Sequence, residues 1–475
     1  MNEEYLHAIE YIEKIPLFAP KRSLENTAEI LKLSGDPLEG MKAVHIAGTN
    51  GKGSVSKMLS LMFKEAGYKT GLFISPHLVK INERISVNGE DISDEKFAEV
   101  FRVVKSAIDE NGFEHPAYFE FLFLMAAVYF RNEKCDMVIW ETGLGGRLDA
   151  TNTVNPMCCV ITSVGFDHMQ YLGNTVEKIA FEKAGIIKEG VPVISHLNHS
   201  GADEVIEKAA SDKNAPLITV DNSTGDGCII SDPEGVTGSV TTAELIKKMR
   251  VSEYLPDAPI YQNDNFYTAV TAFYAVRGSG MYDSATGRDS SRQNKKDKHL
   301  EYESGSFLPA DIPELIKRAM SHFFWPGRMQ ALAPNIYIDG AHNTSAVIKF
   351  TESVLDIFNK KHFSSLRILF AVCADKDYED MIKIISEKLQ PEKVYVSEIA
   401  SGRKLGAEYA AKLFLKYGSE CFGNDDADKK HDRAVIIPDP HEAVLQAKTG
   451  LSDDVMLVIV GSLYLAGEVL SEEIL

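Results

Sequence analysis

Apolar positions along the chain follow two alternating rhythms, short near-continuous runs and longer stretches with apolar residues three or four apart. The short runs predict buried strands, and the longer stretches predict amphipathic helices. Strand candidates in the first two thirds are 43–47, 69–74, 83–87, 136–140, 157–162 and 192–194, with Asn88-Gly89 as a hairpin turn signal. Helices are predicted before residue 40, where Leu6, Ile9, Ile12 and Ile15 and then Leu24, Ala28 and Leu31 recur between Pro16, Pro20 and Gly35-Asp36-Pro37. Others are predicted after the first strand (Val55, Met58, Leu59, Met62, Phe63), from about 94 to 109, and from 119 to 130. Alternating strands and helices predict an α/β fold with a mainly parallel sheet.

A second series starts near Trp325. Its strand candidates are 336–338, 367–372, 393–396, 434–437 and 455–460, separated by helical patterns near 345–358, 377–389, 403–416 and 441–448. At 475 residues the chain exceeds what one core supports. The expectation is a first domain over 1–325 and a smaller, Rossmann-like C-terminal domain over 326–475. Two polar stretches, 278–305 and 423–430, are expected to be loops without chemistry.

Composition narrows the functional classes. Apolar residues make up 44% and charged residues 25%, as in ordinary soluble proteins. A formal net charge of −19 argues against a nucleic-acid partner and requires a locally basic site if the substrate is anionic. The run from Phe121 to Phe130 is too short to span a bilayer, and the start Met1-Asn2-Glu3-Glu4 lacks the basic opening of a signal peptide, so a cytoplasmic protein with no membrane partner is expected. Cys135, Cys158, Cys159, Cys228, Cys373 and Cys421 contain no Cys-x-x-Cys pair. Buried reduced thiols follow, with Cys158 and Cys159 on opposite faces of a strand.

Between the first strand and its helix stands Gly48-Thr49-Asn50-Gly51-Lys52-Gly53-Ser54. Glycines let the backbone approach phosphate oxygens, the helix N-terminus favours negative charge, Lys52 adds a point charge, and the Ser54 hydroxyl can hold Mg²⁺. The ordinary phosphate-loop spacing would place glycine at Ile46 and Ser or Thr at Gly53, so this is a variant. A second strand ends on Glu141 and runs into Thr142-Gly143-Leu144-Gly145-Gly146-Arg147-Leu148-Asp149-Ala150-Thr151-Asn152; a strand-end carboxylate beside a phosphate loop is placed to ligate Mg²⁺. Taken alone, His168 reads as a surface or core histidine, Lys183 as a solvated helical lysine, and Gln262 with Asn265 as a polar first turn.

With this wording, the chain resembles the folylpolyglutamate synthase/dihydrofolate synthase family, relatives of the Mur ligases, at about ten segments in family order. The resemblance implies ATP and Mg²⁺ as cofactors and folate or dihydropteroate, L-glutamate and ATP as partners. It also implies a second Mg²⁺ at His168 with the strand-end Glu, carbamylation of Lys183 into an oxygen ligand, and nucleotide contacts from Gln262 and Asn265. From the C-terminal part it implies Arg328 for phosphate charge and Asp339 and His342 for the nucleotide; Asp375-Lys376-Asp377 and Gly461-Ser462-Leu463-Tyr464-Leu465 match too. Lys52, Lys183, His168 and Arg328 form the expected catalytic set. Pterin-facing positions would be Ser75, His77, Arg84, Phe119 and Glu120, with Phe119 either stacking on the pterin or starting a helix core, and Arg84 pairing with a carboxylate. Ala117 departs from the Thr expected there. The family is usually monomeric.

Two rival readings carry their own discriminators. A Mur-type ligase acting on a UDP-linked muropeptide would share the phosphate loop but lack Ser75-Pro76-His77-Leu78 and Phe119-Glu120. A non-catalytic nucleotide-binding regulator would have no need of Glu141, His168 and Lys183 together. Asn294-Lys295-Lys296-Asp297 fits a guanine-reading pattern, but no strand precedes it, so adenine is the expected base.

Overall fold

The computed structural model describes residues 3–16, 24–222, 228–232, 236, 240–278, 312–422 and 433–471. Its first sheet comprises β1 (Ala43–Ala47), β2 (Thr70–Phe73), β3 (Ile85–Val87), β4 (Glu90–Asp91), β5 (Met137–Glu141), β6 (Cys158–Ile161), β7 (Val193–His196), β8 (Leu217–Asp221) and β9 (Ile229–Ser231). The strand order is β4-β3-β2-β5-β1-β6-β7-β8-β9. From β2 to β8 all neighbours are parallel, whereas β3, β4 and β9 close the edges antiparallel.

Central strands are covered on both faces, which is why they read as continuous apolar runs. Met137 and Ile139 of β5 join a core with the helices Lys52–Glu65 and Gln262–Gly278, while Val138 and Trp140 join another with the helices Asp94–Asn111 and Tyr118–Asn132. Cys158 and Cys159 likewise enter different cores, as strand alternation predicts. Cys135, Cys158, Cys159, Cys228 and Cys373 are free thiols.

The second sheet comprises β10 (Gln330–Ala333), β11 (Ile336–Ile338), β12 (Ser365–Phe370), β13 (Lys393–Val396), β14 (Ala434–Ile436) and β15 (Val455–Val460), in the order β10-β11-β15-β12-β13-β14. Only β10 runs antiparallel. Both sheets direct their carboxyl-terminal strand ends at one cavity: the loops after β1, β5 and β6 line it from one side, and those after β11, β12 and β15 from the other.

The apolar pattern misses β8, β9 and β10. The outer strands β8 and β9 alternate partly exposed with buried residues, and Gln-Ala-Leu-Ala in β10 favours helix by intrinsic propensity. Beyond Gly278, the polar stretch expected as a loop lies outside the described residues, as do Asn294-Lys295-Lys296-Asp297 and residues 423–430. Among the described residues, no helix is long and apolar enough to cross a membrane.

Candidate active site

The phosphate loop leaves β1 and enters the helix Lys52–Glu65 with Gly51 left-handed at its N-cap (φ 88°). A Cβ at Gly51 would stand 2.2 Å from Asn265 Oδ1, so the loop tolerates no side chain there. Gly53 faces a different obstacle: a Cβ would stand 2.9 Å from Trp325 Cζ2. The position where ordinary phosphate loops carry Ser or Thr is therefore occupied by an indole arriving from far along the chain.

Hydrogen bonds tie the loop down from three directions. Gln262 Nε2 donates to Ser54 Oγ (3.1 Å), and Asn265 Nδ2 donates to Gln262 Oε1 (2.8 Å), so these two amides brace the loop. Thr162 Oγ1 donates to the Asn50 carbonyl at 2.7 Å. Lys183, buried, donates from Nζ to the Gly48 carbonyl at 2.6 Å. Burial, reinforced by Lys52 nearby, holds its amine well below the ordinary lysine range.

Glu141 ends β5 almost fully buried, with Oε1 4.0 Å from Lys52 Nζ and Oε2 accepting from the Ser75 N–H at 3.2 Å. Burial pushes its carboxyl up to about 7 against the pull of Lys52. His168 sits in left-handed backbone (φ 51°), and burial lowers its imidazole to about 4, leaving the ring neutral. Beside it, Asp167 gathers the second sheet. Lys376 Nζ donates to Oδ1 at 2.6 Å, Asn343 Nδ2 donates to Oδ2 at 3.0 Å, and His342 Nε2 lies 3.7 Å from Oδ2. Burial pushes Asp167 up, but His342, His168 and Lys376 outweigh it and hold the carboxyl far below its ordinary value.

From the second sheet, Asp339 accepts from Tyr261 Oη (2.7 Å) and from the backbone N–H groups of Met329 and Ala341 (both 2.8 Å). Arg328 and His342 line the cavity with it. Asn50 of the phosphate loop donates to Ser345 Oγ (2.8 Å) and accepts from Asn343 Nδ2 (3.0 Å), joining the two walls directly.

The cavity encloses about 700 Å³, within the range of small-molecule sites. Gly48 through Ser54, Ser75, His77, Glu141, His168, Lys183, Asn265, Arg328, Asp339 and His342 all line it. Its lining carries six Lys or Arg against five Asp or Glu, close to balance in a chain of net charge −19. Four expected site residues lie outside that lining. Gln262 acts on Ser54 as described. Arg84 donates from Nε to His77 Nδ1 (2.8 Å) and covers the Tyr118 ring at 5.3 Å. Phe119 packs on Phe73 (5.4 Å between centroids) and on the Gly143 backbone, and Glu120 accepts from the Ala117 N–H at 2.9 Å, capping its own helix.

The model of the Mur ligase middle domain matches residues 46–256. A dihydrofolate synthase/folylpolyglutamate synthase from Bacillus subtilis (strain 168) is 35% identical over 395 residues, covering 81% of this chain and 83% of the relative. The chain belongs to the folylpolyglutamate synthase/dihydrofolate synthase family. Two solved structures of that family share its fold across the chain. E. coli FolC in complex with DHPP and ADP aligns with a TM-score of 0.74 at 24% identity, covering 98% of this chain and 96% of that one. The bifunctional folylpolyglutamate synthase/dihydrofolate synthase of Yersinia pestis, complexed with AMPPNP and Mn ion, aligns with a TM-score of 0.74 at 22% identity, covering 98% and 97%.

Among the described residues, no three His, Cys, Asp or Glu side chains gather as a self-sufficient metal site. Ser54, Glu141 and His168 nevertheless face one cavity, and Glu141 spends its carboxylate on a single N–H and a distant ammonium. Mg²⁺ commonly takes one or two protein carboxylates and completes its shell with water and substrate phosphates, so this donor set fits a metal carried in with a nucleotide.

Asp167, Asn343 and Ser345 carry no sequence signal that marks them individually, and Lys376 stands only within a matching tripeptide. The adjacent Asp167-His168 and Asp375-Lys376-Asp377 were the available signals, but the partners stand 209 positions apart.

Proposed function

We propose that this chain is an ATP-dependent amide ligase that joins L-glutamate to folate, lengthening tetrahydrofolate tails, and to dihydropteroate, forming dihydrofolate. One observation carries the reading: a phosphate loop, a buried strand-end Glu141 and Arg328 from the other sheet share a single cavity. The family membership supports the same reaction.

In this reading the loop amides and Lys52 hold the triphosphate, and Arg328 meets it from the opposite wall. A substrate carboxylate oxygen attacks the γ-phosphorus and ADP leaves, giving an acyl phosphate. The glutamate amine then adds to the acyl carbon, and the tetrahedral intermediate expels inorganic phosphate. Ser54, Glu141 and His168 would hold Mg²⁺, which supplies charge neutralisation at the transferring group. The depressed lysine is a neutral nucleophile able to add to CO₂, so Lys183 is assigned as a carbamate that would offer the metal an oxygen donor. Asp339 and His342 serve the nucleotide, with Gln262 and Asn265 acting through the loop they brace.

Ser75 and His77 are assigned to the folate side. Arg84, Phe119 and Glu120 support that side from behind, by orienting His77, backing the Gly143 loop and fixing the helix start. The assignment divides the chain into an ATP-binding part, 1–325, and a C-terminal ligase part, 326–475. It describes a cytoplasmic monomer with no nucleic-acid partner, in keeping with the free thiols.

The test is phosphate release on mixing the protein with ATP, glutamate and either dihydropteroate or tetrahydrofolate. Release that requires all three components supports the reading and separates the two activities. Release independent of both pterin substrates would sink it. A mass spectrum of the intact protein with Lys183 bare while metal and nucleotide are bound would rule out the carbamate.

A further inference from the structure

We propose that Trp325 is a positioning residue that sets Arg328 according to the state of the phosphate loop. The proposal rests on the ligase reading and adds to it a route by which one wall of the cavity senses the other.

The segment after Trp325 is pinned to the second sheet. The Gly340 N–H donates to the Gly327 carbonyl (2.8 Å), the Gly327 N–H donates to Gln330 Oε1 (3.0 Å), and the Met329 N–H donates to Asp339 Oδ2 (2.8 Å). Met329 takes a left-handed backbone (φ 45°), unusual for a residue with a side chain, so the segment's path is closely determined. Arg328 lies across Gly340, where a Cβ would stand 2.9 Å from its Nη1. Residues 327–330 therefore move with the second sheet.

Trp325, two residues earlier, belongs to the other side. Its ring packs against the core that holds the helix Lys52–Glu65, and Gly53 beneath it would bring a Cβ to 2.9 Å from Cζ2 and 3.3 Å from Nε1. Gly53 adjoins Lys52, so a shift of the loop on filling with phosphate presses on the indole. Only Pro326 and Gly327 separate that indole from Arg328. The family's extra glycine thus makes room for a ring that links the phosphate loop to the arginine opposite.

The chain has two tryptophans, and the other, Trp140, is fully buried in the first sheet's core, so Trp325 emission can be isolated by substitution. ADP binding should change emission in the wild type and leave it unchanged in Trp325→Phe. An equal change in both would overturn the contact. At saturating ATP and folate, Trp325→Ala should slow single-turnover phosphoryl transfer by about tenfold while ADP affinity stays within about threefold, and Trp325→Phe should keep most of the rate. Gly53→Ala should slow the same step, and adding Trp325→Ala should cost no further factor, because both changes break one contact. A Trp325→Ala rate within about twofold of wild type, a parallel loss of rate and ADP affinity, or multiplicative losses in the double variant would each overturn the proposal. If ADP changes Trp325 emission but the wild type releases no phosphate with folate and glutamate, the ligase reading fails and the contact stands.

Discussion

On the phosphate side of the cavity, Gly48 to Ser54, Glu141, His168 and Lys183 all face the shared space, with Gly48, Lys52, Ser54, Glu141 and Lys183 tied to neighbours. Of the five residues proposed for the folate side, Ser75 and His77 do, while Arg84, Phe119 and Glu120 turn to His77, Phe73 and a helix cap. The contrast reflects what each ligand demands. Phosphate is held by backbone amides and one charge at a strand end, an arrangement written in consecutive residues. A flat aromatic ligand such as a pterin is held by shape, so the wall proposed for it draws on residues whose first duty is packing.

Removing charge from the phosphate side should break the molecule's chemistry outright. Lys52→Ala is expected to lower ATP-dependent amide formation by about 10³-fold with an unchanged melting temperature, read by a coupled phosphate assay and calorimetry. Undiminished turnover would end the assignment. Arg328→Ala, acting from across the cavity, should slow acyl-phosphate formation by about 10²-fold in single-turnover quench experiments. An unchanged rate would remove the second sheet from the phosphoryl step.

Phe119→Ala sharpens the comparison from the other side. As a packing residue against Phe73 and Gly143, its loss should cost about 2 kcal/mol of stability while KM for the folate substrate moves by less than about threefold. A large rise in KM at unchanged melting temperature would restore Phe119 as a direct stacking partner.

The change furthest from the chemistry concerns the strand beneath the loop. His45 of β1 is fully buried, its Nε2 2.8 Å from Thr151 Oγ1, whose hydroxyl donates to Asp149 Oδ1; Asp149 Oδ2 accepts from the Gly143 and Leu144 N–H groups. Burial lowers the imidazole to about 3 from its ordinary 6.5. The folded state therefore resists protonation that the unfolded chain accepts, and the stability present above pH 6.5 is lost as pH falls toward 3. His45→Gln should flatten the acid limb of melting temperature against pH; an unaltered limb would contradict this.

What the sequence makes legible is local. The central strands could be read because burial on both faces leaves little polar interruption, and the phosphate loop and Glu141 because each stands at a strand end within one short motif. The outer strands β8, β9 and β10 are illegible because they are short and carry partly exposed positions in place of a continuous apolar run. Asp167 meeting Lys376 depends on how two sheets are set against each other, and Trp325 meeting Gly53 on a contact between residues far apart in the chain, neither of which a local pattern encodes.

The central claim is that this shared cavity moves phosphate onto a folate carboxylate before glutamate arrives. Folate labelled with ¹⁸O in its terminal carboxylate tests it most directly. The account predicts that each phosphate released during ligation carries one ¹⁸O from that carboxylate, because the bond broken last is the one between the acyl carbon and that oxygen. Phosphate free of label, with amide still formed, would contradict it.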